Sequence, residues 1–147
     1  MGIFILALLF PLAAILQSTL LWAGLPGGIT PDLCLLLTLF CGFRWGAAAG
    51  SAGGLWAGVL VGAMRASASL PLAVLYGLVG WLAGLHRERT NERWTYPIAG
   101  LALIALLAAL EGHLATLMGG NHPPLAWLLP MLAWHGLFCL SFLAVRR

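Results

Sequence analysis

Lysine is absent from this chain, and charge of either sign is scarce. Charged residues occupy 7% of 147 positions; the only aspartate is Asp32, and the glutamates are Glu88, Glu92 and Glu111. A soluble domain carries roughly 25% charged residues. A water-facing surface cannot be assembled from so few, so the solvent must be mostly lipid. Cysteine is sparse too. Cys34, Cys41 and Cys139 stand in no CxxC or Cys/His spacing and all lie in apolar runs, which makes them small packing residues rather than a redox pair or a metal site. No nucleophile–base pair, paired carboxylates, HExxH motif or phosphate-binding loop is present, so the expectation is a non-enzyme without cofactor or metal. Period-two alternation is also missing, which excludes a membrane β-barrel and leaves helices as the structure that lipid admits.

What the chain has is hydrophobicity, at 62% of residues, together with 19 glycines and a net charge of +3 carried by arginine alone. A spanning helix needs about 20 apolar residues. Ile3–Trp22 is the first such run. Pro11 removes a backbone donor there and predicts a kink. No arginine precedes Leu9 and no small-x-small site follows, so this run reads as an uncleaved span. Gly24–Thr30 is a turn, after which Thr30 is the expected cap of a second helix, with Pro31 at its first position and Asp32 near the positive dipole end. Leu33–Phe43 is short for a span unless it extends past Arg44. Gly46–Met64, Leu70–Leu85, Tyr96–Met118 and Leu125–Val145 are the remaining runs. They are separated by Ser67–Ser69, by the hydrophilic stretch His86–Thr95 and by Gly119–Pro124. The expected fold is therefore one all-α integral membrane domain over residues 1–147, a bundle of about six transmembrane helices.

Arginine placement orients the bundle. With the N-terminus inside, Arg44, Arg87, Arg89, Arg93, Arg146 and Arg147 fall on the inner side and only Arg65 on the outer side. That is a strong positive-inside pattern, and it predicts that both termini are cytoplasmic. Nucleic acid is not an expected partner, since the arginines sit between apolar runs. Trp22, Trp45, Trp81 and Trp94 fall near span ends, where aromatic belts form, while Trp56, Trp127 and Trp134 read as packing or lipid-facing.

Four features are candidates for function. Gly46, Gly50, Gly54, Gly58 and Gly62 recur every four residues on the third run, making a smooth helix face that packs either inside the chain or against a partner. Glu111 inside the fifth run is a costly charge that should be paired, with Arg65 or His113 as the expected partner. His113 and His135 are too few for a convincing proton relay. Arg87–Arg93 mixes signs and suits topology and anionic headgroups.

The order of several short motifs resembles a known family. Leu16-Gln17-Ser18-Thr19-Leu20 closes the first span. Pro31-Asp32-Leu33 opens the second helix, which ends in Phe43-Arg44-Trp45-Gly46, and a glycine-rich third span follows. Gly80-Trp81-Leu82-Ala83-Gly84 closes the fourth, before a basic loop. Over nearly its whole length this is similar to the rod shape-determining protein MreD family. The chain departs from the family late in the third span, where Gly62 stands in place of an acidic residue and the turn reads Arg65-Ala66-Ser67. The resemblance implies a non-enzymatic inner-membrane scaffold of the elongation machinery for side-wall peptidoglycan. Its implied partners are MreC, the glycosyltransferase RodA and a class B penicillin-binding protein, with MreB filaments at the cytoplasmic loop. It also implies likeness to the six-helix S-components of energy-coupling factor transporters, and a solute-binding subunit of that kind is the alternative reading. On the scaffold reading the partner surfaces are expected at Gly54, Gly58 and Gly62 and at the outer ends near Asp32, Arg65 and Glu111.

Overall fold

The computed structural model describes residues 2–21, 32–64, 69–90, 95–117 and 133. Among these residues the chain is all-helical, with no strand. Helix α1 runs Gly2–Leu16 and passes into a π-helical turn over Gln17–Leu21. Helices α2 (Leu33–Trp45), α3 (Ala47–Met64), α4 (Ser69–Arg89) and α5 (Tyr96–Leu117) follow. Two of them, α3 and α4, are long and apolar enough to cross a membrane by length and composition. The sixth run, Leu125–Val145, the turns at Gly24–Thr30 and Gly119–Pro124, and Arg65 lie outside the described residues, so six spans are not seen together.

Two boundaries differ from the sequence expectation. Helix α2 is capped by Asp32 rather than Thr30. Asp32 has an extended backbone (φ −80°, ψ 93°), and its side chain accepts a hydrogen bond from Leu35 N. A carboxylate at this position both satisfies an orphan N–H and meets the positive end of the helix dipole. Nor does α2 continue past Arg44 into a longer span. It stops at Trp45 because Gly46 adopts φ 93°, ψ −175°, a region open essentially to glycine alone. Gly46 is thus a joint between helices and not the first rung of the glycine ladder. At 13 residues, α2 is about 20 Å long, well short of a roughly 30 Å hydrocarbon core. Helix α4, by contrast, runs on through His86–Arg89, which the sequence reading assigned to a loop.

The rest of the ladder explains how the helices pack. A Cβ on Gly50 would lie 2.7 Å from Gly42 Cα and equally close to Gly80 C. One on Gly54 would lie 2.8 Å from Gly77 N, and one on Gly58 2.6 Å from Ala73 N; real Cβ atoms essentially never approach below 3.0 Å. These pairings run in opposite senses along the two chains, so α3 is antiparallel to both α2 and α4, and its backbone lies directly on that of α4. In lipid, apolar burial gives little drive for helix association, and close van der Waals contact must supply it. Glycine makes that contact possible by removing the one atom that would hold the backbones apart.

The core joins four of these helices and part of the fifth. Phe10 and Ala14 of α1, Cys34, Leu35 and Leu39 of α2, Ala57 and Val61 of α3, Tyr76 and Val79 of α4, and Ile104 and Leu107 of α5 are all buried in one cluster. Large apolar side chains also face outward on every helix but α2's interior flank: Leu8 and Leu12 on α1, Leu55 and Val59 on α3, Leu70, Val74 and Leu78 on α4, Ile98 and Leu106 on α5. Leu70 is 79% exposed and Leu8 74%.

Candidate functional site

Two polar clusters stand at opposite ends of α2. The first is at its head. The single aspartate of the chain is 4% exposed and Tyr76 is fully buried. The Tyr76 hydroxyl donates to Asp32 Oδ2 in a short hydrogen bond, while Asp32 Oδ1 accepts from Leu35 N at 2.9 Å. Leu36 N donates to the Asp32 carbonyl at 3.0 Å. A third chain element closes the same helix end: Gln17 Oε1 accepts from Leu33 N at 2.9 Å. Gln17 reaches it from the π-helical turn. There the wider helix leaves the Ile15 carbonyl to side chains, and it accepts from Ser18 Oγ at 3.0 Å and Thr19 Oγ1 at 2.7 Å. The Gln-Ser-Thr motif therefore has a job in each residue: two hydroxyls hold the π turn and the amide it presents caps α2. Nearby, Cys34 Sγ donates to the Phe10 carbonyl at 3.9 Å and Thr38 Oγ1 donates to the Cys34 carbonyl at 2.9 Å.

This cluster brings together two of the residues predicted from sequence. Tyr76 bonds Asp32 through its hydroxyl and presses its backbone onto Gly54, whose would-be Cβ collides with the Tyr76 carbonyl. Asp32 is thus an internal tie between α2 and α4, set seven residues along α4 from Ser69 and so about 10 Å below that helix end. It is not a contact point at the outer rim. Gly54 and Gly58 are likewise corrected: the face expected to receive a partner is filled by α4, and Gly62, also buried, lies further along the same face. Arg65 lies outside the described residues. Glu111 is on α5, but its side chain and that of His113 are outside the described part, so the expected Arg65–Glu111 pair is not in view. Tyr76 and Gln17 were missed. The available signal was that a lone aspartate entering an apolar helix must find donors inside the bundle, and Tyr76 is one of only two tyrosines.

The second cluster is at the tail of α2. Phe43 stacks on Tyr96 with centroids 5.0 Å apart and planes 5° apart. His86 sits edge-on to both rings and shares a 2.9 Å hydrogen bond with Thr95 Oγ1. This joins the end of α4 to the start of α5. Across the Gly46 joint, Glu88 Oε1 accepts from Ala47 N at 2.9 Å and so caps α3. The hydrophilic stretch read as a topology signal is therefore structural as well, since Glu88 reaches back 41 residues to close a helix end. Cys34 and Cys41 are buried thiols; Cys139 lies outside the described residues.

Among the described residues no group of three metal-ligating side chains forms. What both clusters do is fix one helix end against another. No family model, curated protein or solved structure matches the chain.

Proposed function

We propose that this chain is a multi-pass inner-membrane protein of about six spans, both termini cytoplasmic, that acts as a scaffold of the rod-shape machinery. In this reading it binds MreC and, directly or through it, RodA and a class B penicillin-binding protein. Two things support it. The first is the order and spacing of the motifs from Leu16 to Gly84. The second, which carries the structural part, is that the interior polar groups Asp32, Tyr76 and Thr38 are turned onto the chain's own helices. A solute-binding subunit would aim such groups at a ligand. A scaffold needs them to hold its helices at fixed spacing while the outside remains apolar.

The corrected glycine face changes where a partner sits. With α4 covering Gly54 and Gly58, MreC's single span must seat on an outward side, for which the exposed residues Leu55, Trp56 and Val59 of α3 and Val74 and Leu78 of α4 are suited. Leu55 lies over Gly77, within 3.1 Å of its would-be Cβ, so the two helices present one continuous strip. Affinity purification of the tagged chain in mild detergent, with mass spectrometry of its companions, tests the proposal. Recovery of MreC and the elongation synthases is the expected result. Recovery of a transporter ATPase pair with its coupling subunit would replace the scaffold with a solute-binding component.

A further inference from the structure

We draw no further inference here: the strongest candidate, the cluster of His86, Thr95, Phe43 and Tyr96 where the end of α4 meets the start of α5, belongs to the site already described, and nothing in the structure shows what would bind to it.

Discussion

Gly54→Ala adds a single methyl group, yet the structure makes it a severe change. The new Cβ would collide with the Tyr76 carbonyl and sit 2.8 Å from Gly77 N. Both are backbone atoms of α4 and cannot rotate aside. To restore ordinary contact, α4 must retreat by on the order of 1 Å, weakening dispersion along the whole seam and pulling the Tyr76 hydroxyl from Asp32. Alanine recovers about 1 kcal/mol through its better helix propensity. Overpacking typically costs about 1–3 kcal/mol, and a rigid backbone collision belongs at or beyond the top of that range. The net expectation is a loss of about 2 kcal/mol. Gly77→Ala is the matched control on the facing helix, since its Cβ would press only on the flexible Leu55 side chain, at 3.1 Å, and would touch the Ser51 carbonyl at an ordinary 3.6 Å. There the propensity gain of about 1 kcal/mol should leave stability unchanged or raised. Unfolding by a denaturing detergent, followed by fluorescence of the seven tryptophans, measures both. Equal stability of the two variants would refute the argument that the α3–α4 backbones touch.

Three further outcomes follow from other parts of the molecule. Tyr76→Phe and Asp32→Ala should each destabilise by about 1–3 kcal/mol because each leaves a buried polar partner unsatisfied. Their effects should be strongly non-additive in a double-mutant cycle by the same unfolding assay. Gly46→Ala should cost about 1–3 kcal/mol from its backbone conformation alone, and Glu88→Ala added to it should recover only the part due to the 2.8 Å approach of Glu88 Oε1. A reporter active only outside the membrane should be silent when fused after Thr90 or at the C-terminus and active when fused within residues 65–68. The reverse pattern would invert the orientation drawn from the arginines.

The helices were largely legible because long apolar runs without period-two alternation leave the backbone few options but a helix. Tyr96–Met118 was expected and Tyr96–Leu117 is found; Gly46–Met64 was expected and Ala47–Met64 is found. The glycine ladder was legible as a close-packing face, but its periodicity carries no address, so the identity of the covering helix had to come from the fold. Asp32 was legible as a charge at the positive end of a helix but not as internal. Its donors Tyr76 and Leu35 lie 44 and 3 residues away, and the distant one is fixed only by the antiparallel return of α3. Glu88 was hidden for a different reason. In a mixed-sign stretch its charge looks like surface decoration, and a cap that bridges 41 residues leaves no local spacing to read.

The single-residue joint at Gly46 bears on how the protein is made. Helices α2 and α3 meet with no loop between them, and Gly42 already lies against Gly50 one turn away on either side. A 13-residue helix has too little apolar length to partition across a bilayer by itself. On the membrane reading proposed above, α2 folded back on α3 would enter lipid with a neighbour that carries the missing length. The two segments would then insert as one unit, and lengthening the joint by even one residue should be felt first as a defect of membrane integration.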